Sequence, residues 1–187
     1  ELKYAVRRQE ETIYYKRLRM ANPEMSRFKD LILYNLEAGE AVLTDNNDIR
    51  VYTDGKEKFR ALIEEMKQAK RYIHMQYYII RNDELWQEVE KVLIQKAREG
   101  VEVRVLFDSM GCRTMKNRDW ERLEKEGIQV AEFFPALLGQ LQLRVNYRNH
   151  RKIVVIDGRV GFVGGFNVGR EYLGRDKKFG YWRDTHL

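Results

Sequence analysis

The residues best suited to chemistry stand together between positions 146 and 169, in the stretch NYRNHRKIVVIDGRVGFVGGFNVG. His150 and Lys152 precede a continuous apolar run. Because side chains two residues apart in a strand share a face, the imidazole and the ammonium are expected to lie side by side. Asn167 follows two glycines and precedes VGREYL, which we expect to form a short helix. An imidazole, a cation, an amide and the N–H groups of a helix start can together bind and attack a phosphate diester.

The elements that must position these groups are a pair of strands. RKIVVID is too apolar for an exposed edge and predicts an interior strand. Asp157 and Gly158 form a hairpin turn signal, and RVGFVGG is the returning strand. Gly164 and Gly165 close that strand, and their lack of side chains lets another group approach the backbone closely.

Helices alternate with buried strands over the middle of the chain. The apolar spacing predicts helices at 56–70, 83–99 and 117–126 and strands at 72–80, 101–108 and 128–134. This order favours an α/β fold with a central mixed β-sheet flanked by helices. Before it, the alternating stretch AVLTDNNDIRVYTDG, residues 41–55, predicts a hairpin around its turn-rich centre.

The composition narrows the classes of protein. With 187 residues, 43% hydrophobic and 34% charged, the chain is an ordinary globular sequence, and its net charge of +6 suits a phosphate-bearing partner. The one cysteine, Cys112, excludes an internal disulfide framework and a cysteine-built zinc site. No stretch approaches the roughly 20 apolar residues of a spanning helix. Residues 3–20 predict a basic helix, and we expect the chain to be a piece of a longer protein.

The segment around the histidine resembles the H-x-K-x4-D-x6-G-[GS]-x-N signature of the phospholipase D superfamily. The signature is matched at His150, Lys152, Asp157, Gly164, Gly165 and Asn167. HMQYYIIRNDELW, GVEVRVLFDSMG and FGYWRDTHL extend the likeness to the first catalytic half of bacterial cardiolipin synthases. The resemblance implies a phospholipase D-like catalytic domain at residues 41–187. It also implies a basic, juxtamembrane-like helical segment at residues 1–40.

The resemblance further implies a two-step transfer that needs no metal or cofactor. His150 would attack the phosphodiester of phosphatidylglycerol, an anionic phospholipid, to form a phosphatidyl-histidine that a second phosphatidylglycerol resolves. Lys152 and Asn167 would hold the phosphate oxygens, and Gly165 would admit the substrate. Asp157 completes the catalytic set, and we expect it to orient and support the site because it lies at the far end of the strand.

Other residues are candidates for substrate contact. Gln76 and Tyr78 share a strand face and would line the pocket or else belong to the core. Arg148, Arg144 and Arg151 flank the histidine, and we expect at least one of them, Arg148 first, to attract the head group. Asp108 ends a strand where α/β folds place ligand contacts. The apolar residues of ALLGQLQL, Leu138 and Leu141 among them, would dip toward lipid.

The sequence departs from the family pattern in one respect: it contains one such motif, whereas the family uses two. His74 is followed by Gln76 where the motif has lysine, and the corresponding position after His186 lies beyond Leu187. We therefore expect the partner acid from a missing C-terminal half or from a second copy in a homodimer. The longer protein would act at the bacterial cell membrane, with a peripheral or anchored catalytic domain facing the cytoplasm. Two alternatives stay open, a homodimeric phospholipase D-like nuclease and a domain that binds phosphate or lipid without turnover.

Overall fold

The computed structural model describes residues 2–14, 27–44, 47–135 and 148–187, which form two compact units, Glu1–Ile49 and Arg50–Leu187. The smaller unit contains α1 (Leu2–Tyr14) and α2 (Lys29–Gly39), which bury Val6, Ile32 and Leu36 between them. The predicted helix near the amino terminus is therefore present over its described part. No helix in the described ranges is both long and apolar enough to cross a bilayer.

The larger unit is an α/β domain built on a five-stranded mixed sheet. Its elements in chain order are β1 (Tyr52–Asp54), α3 (Gly55–Gln68), β2 (Tyr72–Tyr77), α4 (Glu84–Arg98), β3 (Glu102–Asp108), α5 (Asn117–Lys125), β4 (Gln129–Phe133), β5 (Ile153–Ile156), β6 (Val160–Val163) and β7 (Arg183–His186). The sheet order is β4-β3-β2-β5-β6, with β2, β3 and β4 parallel and β5 and β6 antiparallel to their neighbours. The predicted fold class and the interior position of β5 are confirmed.

Local sequence signals explain where the helices begin and end. The Asp54 carboxylate accepts hydrogen bonds from the backbone N–H groups at the start of α3, and Asp83 caps α4 in the same way. Gly100 and Gly127, just after α4 and α5, adopt φ values of +87° and +83° that favour glycine. The expected helix bounds are therefore close to the observed ones.

The core lies between one face of the sheet and the three helices α3, α4 and α5. Alternate residues of β2 point into it, and the intervening ones are partly exposed. The fully buried apolar side chains from these elements include Leu62, Met66, Ile73, Leu85, Trp86, Val89, Leu93, Leu123, Val154 and Ile156.

Two local predictions are corrected. The hairpin at 41–55 is wrong: β1 pairs instead with β7, with Tyr52 opposite His186, so its alternating pattern reflects a partner far along the chain. The short helix expected after Asn167 is a four-residue 3-10 turn, Arg170–Leu173, which begins three residues beyond the amide.

Candidate active site

His150 and Lys152 lie immediately before β5 and contact each other. The Lys152 Nζ atom is 2.9 Å from Nδ1 and 3.4 Å from Nε2 of His150, and it donates a hydrogen bond to the His150 carbonyl oxygen at 2.7 Å. Lys152 is 3% exposed, whereas His150 lies at the surface. The spacing of the two residues therefore does bring the imidazole and the ammonium together, with the imidazole open to a ligand.

The surroundings adjust the charge of both groups. Burial lowers the pKa of the Lys152 ammonium to about 8, against the opposing effect of the Asp184 carboxylate. Burial, and then the charge of Lys152, lower the pKa of His150, while Asp108 acts in the opposite direction. At pH 7 the imidazole is therefore mainly neutral and nucleophilic, and the lysine beside it is mainly a cation.

An aromatic ring forms one wall of the site. The Tyr78 ring lies 4.6 Å from the His150 ring between centroids, and Lys152 Nζ is 5.4 Å from the Tyr78 centroid. Gln76 lies opposite Ile153 across the β2–β5 pair, and its buried Nε2 atom has no hydrogen-bond partner in the described part of the chain. Tyr78 thus contacts the histidine directly, while no described contact joins Gln76 to it.

Asp108 ties the end of β3 to the segment that leads into the histidine. Its fully buried carboxylate accepts hydrogen bonds from Met110 N at 2.9 Å and from Asn149 N at 3.0 Å. Arg148 Nη1 lies 3.7 Å from Asp108 Oδ1 and donates to Ser109 Oγ at 3.3 Å. Because Asn149 directly precedes His150, the buried carboxylate helps to fix where the imidazole stands.

Asn167 binds the segment after β2 and the 3-10 turn, whereas the two glycines lie against β7. The Asn167 Oδ1 atom accepts from Ile79 N at 3.0 Å, and its Nδ2 atom donates to the Tyr172 hydroxyl at 2.8 Å. A Cβ atom on Gly165 would lie 1.9 Å from Asp184 Oδ1, and one on Gly164 would lie 2.4 Å from Thr185 O. The group that these glycines allow to approach is β7, and the prediction that Gly165 admits the substrate stays a prediction.

Asp157 is not brought to the histidine. It follows β5 at the end opposite His150, with a φ of +56°, and accepts hydrogen bonds at 2.8–2.9 Å from the backbone N–H groups of Lys70, Arg71 and Tyr72. These bonds, that of Tyr72 first, lower the pKa of the carboxyl group. Asp157 therefore fixes the start of β2 against the β5–β6 turn, and its supporting role at the site stays a prediction.

Sequence reasoning missed Asp184. Its carboxylate lies against Gly165, and its charge favours the protonated form of Lys152. The only signal was its presence in the family-like stretch FGYWRDTHL, since no local spacing connects it to the histidine.

The two other histidines make no described contact with His150. His74 hydrogen-bonds Glu102 at 2.7 Å and stacks on Tyr72. His186 is fully buried and has no hydrogen-bond partner in the described ranges; burial lowers its pKa to about 3. Arg144, Leu138 and Leu141 lie outside the described residues.

Comparisons with known proteins agree with this geometry. Residues 62–179 match the family model described as cardiolipin synthase, PLD-like domain. The chain is 52% identical over 165 residues to the cardiolipin synthase of Oceanobacillus iheyensis, which covers 88% of this chain and 34% of that protein. It is 52% identical over 159 residues to the major cardiolipin synthase of Bacillus subtilis, covering 85% and 33%. The chain thus spans about a third of the length of these relatives.

Solved structures share the fold at low sequence identity. Nuc from Salmonella typhimurium, a phospholipase D family member, aligns with a TM-score of 0.53 at 18% identity, over 74% of this chain and 80% of Nuc. The phosphatidylserine synthase of Haemophilus influenzae aligns with a TM-score of 0.57 at 19% identity, over 73% of this chain and 32% of that one. At these identities the likeness establishes the fold alone.

Proposed function

The chain belongs to the cardiolipin synthase family of phospholipase D-like proteins, and from this premise we propose that it supplies the nucleophilic half of an active site for phosphatidyl transfer. The substrate is phosphatidylglycerol, and the product of the complete enzyme is cardiolipin. The observation that carries the proposal is the contact between a surface imidazole and a buried ammonium at His150 and Lys152.

The first step begins with the neutral imidazole of His150. A ring nitrogen attacks the phosphorus of phosphatidylglycerol, so that a phosphorus–nitrogen bond forms and the bond to the glycerol oxygen breaks. Lys152 then donates to a non-bridging phosphate oxygen instead of to the ring, which stabilises the charge that develops there. Asn167 acts with it through the amide hydrogen that its bond to Tyr172 does not use. The departing glycerol oxygen takes a proton from a general acid.

The second step transfers the phosphatidyl group from His150 to a different alcohol. A hydroxyl group of a second phosphatidylglycerol attacks the phosphorus of the phosphatidyl-histidine, and its proton passes to the group that acted as the acid. The phosphorus–nitrogen bond breaks, cardiolipin forms, and His150 returns to its neutral state. Arg148, which sits beside Asp108, would add positive charge where the anionic head group enters.

The general acid comes from a second H-x-K-x4-D segment. His74 and His186 are committed to Glu102 and to the interior respectively, so neither is placed to protonate the leaving group. The second segment belongs either to a further part of the same polypeptide or to a second copy of the chain. The homodimeric nuclease is the weaker alternative, because identity to cardiolipin synthases is 52% and identity to Nuc is 18%.

A lipid substrate would bring the site to a membrane surface. We propose that residues 41–187 are the catalytic domain and that residues 1–40 are a juxtamembrane segment. The complete protein would be held at the bacterial cell membrane, peripherally or by an anchor, with this domain on the cytoplasmic side.

The proposal is tested with a substrate whose departure needs no acid. A short-chain phosphatidyl ester of p-nitrophenol should release one equivalent of p-nitrophenolate per folded chain in a burst. His150→Ala should abolish the burst, because no nitrogen remains to attack, and His74→Ala should retain it as a matched control. A burst of equal size from His150→Ala would refute the assignment of the nucleophile.

A further inference from the structure

An exposed aromatic loop separates the 3-10 turn from β7. Residues 175–182, which we call the aromatic loop, read RDKKFGYW. Phe179 is 47% exposed and Tyr181 is 67% exposed, so two large rings face solvent within three residues. Two adjacent lysines, Lys177 and Lys178, directly precede them.

The loop is held by its own contacts. Phe179 packs edge-on against Trp182 with 5.8 Å between ring centroids, and Trp182 packs against Tyr172 at 5.0 Å. The Asp176 carboxylate accepts a hydrogen bond from Lys178 N at 2.9 Å. The backbone carbonyl oxygen of Asp176 accepts one from Gly180 N at 2.9 Å. The exposed rings therefore stand on an ordered turn with a packed base.

The base of the loop belongs to the active site. The hydroxyl group of Tyr172, which supports Trp182, accepts the hydrogen bond from Asn167. Two residues after Trp182 comes Asp184, which lies against Gly165. A surface that contacted the aromatic loop would therefore lie beside the groups that bind the substrate phosphate.

The charges on the loop favour an anionic surface. Asp176 lies 3.6 Å from Arg170, and Arg175 lies 4.0 Å from Glu84, so these charges are partly offset. Lys177 and Lys178 have no ion pair with any residue in the described ranges, and Lys178 Nζ lies 5.5 Å from the Phe179 centroid. The loop thus presents two uncompensated cations next to two aromatic rings.

We propose that the aromatic loop docks the domain on the surface of an anionic phospholipid bilayer. Aromatic rings settle at the boundary between head groups and acyl chains, and lysines are attracted to the negative surface. Phe179 and Tyr181 enter this boundary, while Lys177 and Lys178 pair with lipid phosphates. The inference rests on the proposed function in that it takes the ligand of the neighbouring site to be a lipid.

The test is co-sedimentation of the 187-residue chain with vesicles. Vesicles of phosphatidylglycerol mixed with phosphatidylcholine are compared with vesicles of phosphatidylcholine alone. F179S/Y181S should lower the partition coefficient about tenfold on the anionic vesicles, since burying even part of such rings is worth that factor. K177E/K178E should lower it by at least about tenfold on those vesicles and much less on phosphatidylcholine.

Matched controls keep the result specific to the loop. I49S/V51S removes two other exposed apolar side chains, and K56E/K91E reverses two exposed helical lysines. Both should bind as the parent chain does. Phe179 packs on Trp182, so its replacement could destabilise the loop. The ring of Tyr181 is more exposed, and the single variant Y181S therefore checks that lost binding does not reflect unfolding. Y181S should bind less than the parent chain does.

The same variants are assayed for the p-nitrophenolate burst with the dispersed short-chain ester. Retained bursts with weakened vesicle binding in F179S/Y181S and K177E/K178E are the expected result. Equal vesicle binding by loop variants and the parent chain, or no binding by the parent chain, would overturn the docking surface while the burst still supports the nucleophile. Loop-dependent binding without any burst would instead refute the proposed chemistry alone.

Discussion

Lys152 and Asp157, two charged residues of one motif, stand at opposite ends of β5 and differ in burial and in hydrogen bonding. Before the strand, the Lys152 ammonium is almost fully buried, and its described hydrogen bonds go only to His150. After the strand, the Asp157 carboxylate is only partly buried and accepts three backbone hydrogen bonds. Burial makes the charged form of Lys152 less stable, whereas hydrogen bonding makes the charged form of Asp157 more stable.

This difference suits Lys152 to binding a ligand and Asp157 to holding the backbone. A cation that is buried beside a neutral ring can bind a phosphate oxygen. An anionic ligand stabilises its charge more than the neutral imidazole does in the free protein. A carboxylate whose oxygens already accept from Lys70, Arg71 and Tyr72 has its acceptors committed to the backbone. The four residues between Lys152 and Asp157 are the four residues of β5. In the proposed reaction, the groups that react therefore lie at one end of the strand, and the carboxylate that binds the backbone lies at the other.

Lys152→Met removes the buried cation beside His150, and we expect it to change the reaction more than any other substitution at β5. Removal of the cation should slow the p-nitrophenolate burst by about 10³-fold, the upper range for loss of one group that stabilises developing charge. The thermal midpoint should stay the same or rise, because an apolar chain of similar length replaces a buried charge. A burst within a few-fold of the parent rate would show that the buried cation has no catalytic role.

Asp157→Asn tests whether the carboxylate after β5 stabilises the fold. Replacing the carboxylate should lower the free energy of unfolding by on the order of 2 kcal/mol, since an amide accepts fewer of the three backbone bonds and adds competing donors. The burst rate per folded molecule should change little. Denaturant unfolding gives the first quantity, with the exposed Asp48→Asn as a control. A large rate loss in a fully folded Asp157→Asn protein would assign this carboxylate to the chemistry instead.

The pH dependence of the burst rate reports on the charges of His150 and Lys152. His150 must be neutral, and its pKa is lowered, so the burst rate should level off at a lower pH than for an ordinary histidine. Lys152 must be charged, and its pKa is about 8, so the rate should fall as the pH rises through 8, approaching tenfold per unit. Lys152→Arg should remove this alkaline decline, because guanidinium stays protonated. A decline that persists in Lys152→Arg would belong to another group.

The sequence was sufficient for what depends on local periodicity. The apolar runs that predicted β2 and β5 and the helical spacing that predicted α3 and α4 lie within the segments that form these elements. The contact of His150 with Lys152 follows from the period of two.

Contacts between segments far apart in the chain could not be predicted from local patterns. The pairing of β1 with β7, the approach of Asp184 to Gly165 and the bond from Asn149 to Asp108 join residues 19 to more than 100 positions apart. No periodic signal records such a partner, which is why the hairpin at 41–55 was wrong and Asp184 was missed. The position of Asp157 at the far end of the strand was predictable, but its three backbone partners were not.

The nucleophilic role of His150 is tested by locating the phosphorus–nitrogen bond. The chain is mixed with the p-nitrophenyl ester, quenched under neutral conditions, digested and mapped by mass spectrometry. We expect a phosphatidyl adduct on the peptide that contains His150, at the histidine itself, and none on His74 or His186. An adduct on another residue, or p-nitrophenolate release with no adduct while His150→Ala is equally active, would contradict this role.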